Sequence, residues 1–265
     1  SANGNFHLFL SHSYDTDQLL KFFKKNNKFS VIHGTMSKYL KDWSFAKRQL
    51  FKFVYKNAKI CGVSKGVKDD LLNIVGIKPS QINVIYNPFN LEKIRYLSTK
   101  TLAFDGKYIL YVGSINKIKR LDVLVKAYKQ ANIPHKLVIL GGGNNHSEYS
   151  KMLQKLVVNL DLSDKVIFKN FLNNPYPFIK NASLLVVSSD HEGLPTVLIE
   201  ALILNTMIVS TDCESGPSEI LTDELSDFLS PVGDYNKLAE KIDKAIENPI
   251  TNFKKFSSIY DQKVI

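Results

Sequence analysis

Cysteine is nearly absent from this chain. Cys61 and Cys213 stand 152 positions apart, with no Cys-x-x-Cys pair and no Cys/His cluster. That argues against a disulfide scaffold and a zinc site, and buried thiols in a reducing cytoplasm are expected. Long apolar runs are also missing. Ser183-Leu184-Leu185-Val186-Val187 is typical, far short of the ~20 apolar residues that a membrane span needs. The opening Ser1-Ala2-Asn3-Gly4-Asn5 has no charged n-region and no apolar h-region, so no signal peptide is expected there. Internal repeats and low-complexity tracts are lacking too.

Acidic residues are scarce in one part only. Residues 1–98 carry 6 Asp and Glu against 16 Lys and Arg, whereas residues 99–265 carry 19 of each. The whole net charge of +10 therefore sits in the first third. Such a segment suits an anionic partner: nucleic acid, an anionic membrane surface or a phosphorylated substrate. It is equally a solvated, solubilising face. The asymmetry marks two parts. No RNA- or DNA-binding motif accompanies the charge, so no nucleic-acid partner is expected.

What is present is a regular alternation. Strands are expected at Phe6–Leu10, Phe29–His33, Ala58–Val63 and Ile82–Tyr86, with helices at Thr16–Lys25, Met36–Tyr55 and Gly66–Val75. Asn87-Pro88-Phe89-Asn90 breaks the pattern. It restarts with strands at Tyr108–Val112, Lys136–Leu140, Val166–Lys169, Leu184–Val187, Met207–Ser210 and Asp227–Leu229. Helices are expected at Leu121–Gln130, Glu148–Leu160 and Tyr235–Glu247. Strands that alternate with helices predict α/β units with parallel sheets. The first part, with about four strands, looks incomplete at its N-terminus beside the second, with about six. The domains expected are 1–98 with its linker, 99–248, and a tail at 249–265 that returns as a helix towards the first domain. Ligands of open parallel sheets bind beyond the carboxyl ends of the strands.

The loop after Leu184–Val187 is the most informative: Ser188-Ser189-Asp190-His191-Glu192-Gly193-Leu194-Pro195-Thr196-Val197-Leu198-Ile199-Glu200. Pro195 suits the first helical position. A helix starting there offers free N–H groups from Thr196 and Val197 to a phosphate or diphosphate. Gly193 lets backbone approach a ligand. Glu192 and Glu200 could accept hydrogen bonds from sugar or ribose hydroxyls. The plainer reading makes Glu192 part of a cap and leaves Glu200 exposed. His191, next in the chain to Glu192, is expected to face solvent.

Several stretches together carry a family resemblance. Glu192-x7-Glu200 with the intervening Gly193-Leu194-Pro195-Thr196 resembles the signature of the retaining nucleotide-sugar glycosyltransferases of family 4, which have the GT-B fold. Tyr111-Val112-Gly113-Ser114 followed by Lys119-Arg120-Leu121-Asp122 is similar to that family's phosphate-binding segment. Val138–Gly143 resembles its strand and glycine turn, and Ser215-Gly216-Pro217-Ser218-Glu219-Ile220 its next loop. Ile32-His33-Gly34 resembles its N-domain histidine loop, and Ile85-Tyr86-Asn87-Pro88 its domain exit.

The resemblance implies a GT-B-like protein of two Rossmann-like domains, the N-terminal one incomplete. It implies transfer of a hexose or acetamido-hexose from a UDP- or GDP-sugar to a glycan or lipid-linked acceptor. Retention of anomeric configuration, no required metal or cofactor, and a role in cell-surface polysaccharide or lipopolysaccharide synthesis follow from it. Lys119, Glu192 and His33 would be catalytic. Lys119 would stabilise the leaving diphosphate, Glu192 would hold sugar hydroxyls, and His33 would lie near the sugar. Gly113, Ser114, Arg120, Gly193, Leu194, Pro195, Thr196, Val197 and Glu200 would bind the donor, with Glu200 on the ribose. The acceptor hydroxyl would be the nucleophile, and the departing phosphate its base.

The chain departs from that pattern twice. Ser114 stands where the family usually has arginine, which removes one cation. The opening strand and following βα units, ~80–100 residues by ordinary βαβ lengths, are expected to be missing. A non-catalytic nucleotide-sugar-binding fragment and another GT-B enzyme, such as a sugar-nucleotide epimerase, stay open as alternatives. The segment Met36–Lys59 interleaves Lys38, Lys41, Lys47, Arg48, Lys52, Lys56 and Lys59 with aromatics. It reads either as a surface helix packed on its own sheet or as a peripheral contact with an anionic membrane, at the cytoplasmic inner face.

Overall fold

The structure is a computed structural model that describes residues 9–20, 28–37, 43–56, 58–102, 104–142 and 147–264. The start of the first expected strand, the end of the first expected helix, Gly143, Lys38 and Lys41 lie outside these residues. The chain divides into two compact units, Ser1–Asn87 and Pro88–Ile265.

In the first unit, β1 (Phe9–Ser11), β2 (Lys28–Ile32), β3 (Lys59–Gly62) and β4 (Ile82–Val84) form one parallel sheet in that order. α1 (Tyr14–Leu20), α2 (Phe45–Tyr55) and α3 (Lys65–Asp70) connect them. The continuous helix expected over Met36–Tyr55 is interrupted at Ser44. Its hydroxyl accepts the Lys47 N–H and starts a new helix, because a serine competes well for the free donors of a first turn. α2 buries Phe51, Val54 and Tyr55. α3 is capped by Ser64, passes into a single π-helical stretch at Leu71–Val75, and ends on left-handed Gly76.

The second unit holds β5 (Tyr108–Val112), β6 (Lys136–Leu140), β7 (Val166–Lys169), β8 (Leu184–Val187), β9 (Ile208–Thr211) and β10 (Leu229–Ser230). Their order is β10-β9-β8-β5-β6-β7, all parallel. This is the strand order of doubly wound nucleotide-binding sheets. The last strand falls after the expected Asp227–Leu229, since Asp223–Phe228 is a 3-10 segment. β8 is buried along its whole length and β5 nearly so, as central strands covered on both faces must be. α5 (Leu121–Gln130) packs on α6 (Glu148–Asn159) and on α10 (Tyr235–Glu247), and the short α9 (Pro217–Ile220) packs on the helix Thr196–Ile203. α4 (Leu91–Leu97), α7 (Tyr176–Asn181), α8 (Thr196–Ile203) and α11 (Lys254–Ser257) form another cluster.

That cluster sets the boundary between the units. α4 packs on α7 and α8, and Phe89 exchanges backbone hydrogen bonds with Tyr260 and Gln262. Residues 88–98 therefore belong to the second unit, and the boundary lies at Asn87/Pro88 rather than after 98. The tail packs through α11 on α8 of that same second unit. Among the described residues, no helix is long and apolar enough to cross a membrane.

Candidate functional site

β5 and β8 are neighbours, but the chain leaves them towards opposite edges of the sheet. Their carboxyl ends thus flank a topological switch point, where the two following loops splay apart and leave a crevice for a ligand. The loop after β5 carries residues 113–120 and the loop after β8 carries residues 188–195.

The first loop is held by close backbone packing. Gly113 N–H donates to Leu140 O at 3.0 Å. A Cβ on Gly141 would lie 1.7 Å from Gly113 O, so the turn after β6 touches the loop after β5 only because residue 141 is glycine. Tyr111 Oη donates to Ser114 O at 2.9 Å. Ser114 is exposed, and its hydroxyl accepts from Asn116 Nδ2. Asn116 caps the 3-10 turn Lys117–Lys119 by accepting from Ile118 and Lys119 N–H. Lys119 leaves that turn towards the second loop.

There it meets Glu192. Lys119 Nζ lies 2.6 Å from Glu192 Oε1, and Ser189 Oγ donates to the same oxygen at 2.6 Å. The two charged side chains are only 24 % and 11 % exposed, so the pair is shielded from water. Cys213 lies beside it. Burial, with the Glu192 charge, pushes its thiol up to about 12. This cysteine packs and does not ionise near neutrality.

Arg120, expected beside Lys119 at the diphosphate, is held by two aspartates. Its Nε and Nη2 donate to Asp122 and its Nη1 to both oxygens of Asp190, at 3.0–3.2 Å. Its backbone is left-handed, with φ 47°. The guanidinium ties the first loop to the second, while Lys119 pairs with Glu192. The family resemblance set Lys119 among the catalytic residues and Arg120 among the donor-binding ones, and the structure gives each its own carboxylate partners.

The α8 terminus follows. Helical geometry starts at Thr196, so Pro195 is the cap and not the first helical residue. The expectation is off by one position because Pro195 takes ψ 89°, outside the helical range. Thr196 and Val197 then occupy the first two helical positions, whose N–H groups have no intrahelical acceptor. The turn before them is clamped: Ser215 Oγ donates to Gly193 O at 2.8 Å. Gly216, at φ 93°, lies where a Cβ would sit 2.4 Å from Pro195 Cδ. Leu194 is buried beneath.

Glu200 lies one turn further along α8 and is partly buried. Burial pushes its carboxyl up to about 7, opposed by a hydrogen bond donated by Tyr176 Oη at 3.4 Å. Tyr176 opens α7 and was not legible as a site residue, because only the packing of α7 on α8 brings it there. His191 is not solvent-facing at Nδ1, which is buried without a hydrogen-bond partner.

His33 follows β2 and is exposed. Its Nε2 lies 2.9 Å from Nδ1 of His12, which follows β1, and the rings stack. Burial, then the neighbouring His12, lowers the pKa of His33. The structure thus brings Lys119, Glu192, Gly193 and the α8 terminus together in the second unit. It pairs His33 with His12 in the first.

Comparison with known proteins gives the family and the fold. The sequence profile described as "Glycosyl transferases group 1" matches residues 97–259. The chain belongs to that family. It is 32 % identical over 206 residues to the N-acetylgalactosamine-N,N'-diacetylbacillosaminyl-diphospho-undecaprenol 4-alpha-N-acetylgalactosaminyltransferase of Campylobacter jejuni, covering 77 % of this chain and 55 % of that protein. It is 29 % identical to the lipopolysaccharide 1,6-galactosyltransferase of Escherichia coli, covering 71 % of this chain and 52 % of that one. The chain spans about half the length of the curated relatives it matches. In fold it resembles the sucrose-phosphate synthase of Thermosynechococcus elongatus, with a TM-score of 0.83, 22 % identity, and coverage of 99 % and 71 %. An Anabaena protein solved with UDP gives a TM-score of 0.72 at 18 % identity, covering 88 % of this chain and 66 % of that one. Both units are Rossmann-like and the fold is GT-B-like.

Proposed function

We propose that this chain binds a nucleoside diphosphate sugar, UDP- or GDP-linked, and serves the transfer of its hexose or acetamido-hexose to a glycan or lipid-linked acceptor. The observation that carries this reading is the convergence of Lys119, Glu192 and the α8 N-terminus on one switch point. An ammonium and two free N–H groups suit a diphosphate, and a carboxylate beside them suits sugar hydroxyls. Glu200, on the same helix, would take the ribose. The transfer would proceed with retention, the acceptor hydroxyl attacking on the face that the diphosphate leaves, with a phosphate oxygen taking its proton. Lys119 and the helix terminus would stabilise the charge that develops on the departing diphosphate.

The acceptor belongs, in this reading, to cell-surface polysaccharide or lipopolysaccharide synthesis, as the names of the relatives suggest. His33 keeps, in this reading, the catalytic role that the family resemblance implies. Peripheral contact with an anionic membrane, at its cytoplasmic face, is part of the same proposal. It is supported by α2, whose exposed Phe45 and Phe53 stand among Lys47, Lys52 and Lys56.

Calorimetry tests the donor site. UDP, GDP and their common sugar derivatives are titrated into the chain and into Lys119→Ala and Glu200→Ala. Selective binding of one nucleotide, weakened in both variants, supports the proposal. Absence of binding to all of them by the wild-type chain and by Glu192→Gln overturns it.

A further inference from the structure

Two consecutive serines follow β8, and both are fully buried. Ser188 Oγ donates to the Lys119 carbonyl at 2.8 Å. Ser189 Oγ donates to Glu192 Oε1 at 2.6 Å, and its own carbonyl accepts from Thr211 Oγ1 on β9 at 2.7 Å. One serine thus fastens the backbone of the cation and the next fastens the carboxylate. Asp190 N–H adds a third tie by donating to Ile118 O at 2.9 Å. The Lys119–Glu192 pair is not a chance meeting of two long side chains. It is held from both ends by the buried stem of the second loop.

The consequence is that the ammonium already has an anion of its own. An ammonium has three protons and can serve two anions at once. A terminal phosphate on Lys119 would nevertheless stand within a few ångströms of the Glu192 carboxylate, and like charges in a shielded site repel. The sign of the outcome depends on what the phosphate carries. With a sugar attached, the terminal phosphate has one ionisable oxygen fewer, and the sugar hydroxyls can donate to the carboxylate. Without the sugar, the phosphate has more charge and offers no hydroxyl.

We propose that Glu192 is a charge gate on Lys119: it yields the ammonium to a nucleoside diphosphate that carries a sugar and competes for it with one that does not. This rests on the donor-site reading above and adds to it a means of expelling the spent nucleotide. Ser189 is the positioning residue of the gate, because it holds the carboxylate oxygen that faces Lys119.

The test compares sugar-free and sugar-bearing nucleotides on the full chain by calorimetry. UDP is set against UDP-glucose and UDP-N-acetylglucosamine, and GDP against GDP-mannose. Glu192→Gln keeps the shape and removes the charge. It is expected to tighten the sugar-free nucleotide roughly tenfold, as loss of one nearby like charge predicts. The sugar nucleotide should gain less than about threefold, because a hydroxyl acceptor is weakened at the same time. Ser189→Ala retains the charge and should shift the ratio in the same direction by a smaller factor. A merely structural role would weaken both ligands together and leave their ratio unchanged, and that result overturns the gate. Binding by the wild-type chain that Glu192→Gln leaves unimproved for UDP and GDP also overturns the gate but spares the donor site. If Glu192→Gln loses cooperative thermal unfolding, Ser189→Ala decides, and an unchanged ratio there overturns the proposal.

Discussion

Lys119 Nζ and Glu192 Oε1 lie 2.6 Å apart across 73 residues of sequence. Two loops leaving adjacent strands in opposite directions bring them together. Removing the cation leaves a shielded carboxylate with the Ser189 hydroxyl as its remaining hydrogen-bond donor among the described residues. Lys119→Ala should therefore cost about 1–2 kcal/mol of stability and weaken nucleoside diphosphate binding by a factor of about ten or more. Urea denaturation and calorimetry on the same preparation separate the two effects. Unchanged affinity would remove Lys119 from the site.

Arg120 poses a different question, because its side chain and its backbone both matter. Arg120→Ala removes the cation from Asp122 and Asp190, leaves Asp122 the Tyr149 hydroxyl, and keeps a Cβ at φ 47°. It should lower the unfolding free energy by about 2 kcal/mol. Arg120→Gly should lose about 1 kcal/mol less, since glycine adopts the left-handed region freely. Equal losses in the two variants, measured by urea denaturation, would show that backbone strain contributes nothing.

At Gly141 the packing leaves no escape. A Cβ there would lie 1.7 Å from Gly113 O, which is backbone and cannot rotate away. Gly141→Ala should cost about 3 kcal/mol or more and lower Tm by about 6–12 °C. Gly34→Ala is the control, because among the described residues no atom beyond its chain neighbours lies within 4 Å of the Cβ it would add. Its Tm should stay within about 2 °C of wild type.

Glu200 predicts a pH dependence with a definite sign. Burial raises its carboxyl from an ordinary 4.5 to about 7 in the folded chain. The folded state therefore holds the proton more tightly than the unfolded one. Its contribution is fully present below about 4.5 and is lost as pH rises through about 7. Glu200→Gln cannot ionise, so it should be more stable than wild type at pH 8 by about 1–3 kcal/mol and no more stable at pH 4. Chemical denaturation at the two pH values checks this. A stability difference independent of pH would show that Glu200 ionises freely.

Much of the second unit was legible from residue order alone. Tyr108–Val112, Lys136–Leu140 and Leu184–Val187 stand where their apolar runs place them, because a strand buried on both faces needs an unbroken run; the edge strand Val166–Lys169 also stands as expected, though it is only partly buried. The helix Leu121–Gln130 and the helix Tyr235–Glu247 also stand as expected, each starting where a periodic pattern begins. Glu192, Lys119 and the Thr196–Val197 terminus stood as candidates through the family resemblance, and each is a local feature: a loop acid, a cation before a helix, a helix start after proline. What local features cannot express is pairing. Which of two adjacent cations meets Glu192 was decided by Arg120 taking Asp122 and Asp190, one of them 70 residues away. That Tyr176 reaches Glu200, and that buried Ser188 and Ser189 hold opposite ends of an ion pair, depends on helices and strands packed from distant parts of the chain. The same holds for the boundary at Asn87, where α4 is claimed by α7 and α8 rather than by its sequence neighbours. Period and propensity act within a few residues, and these choices are made by contacts between residues far apart in the chain.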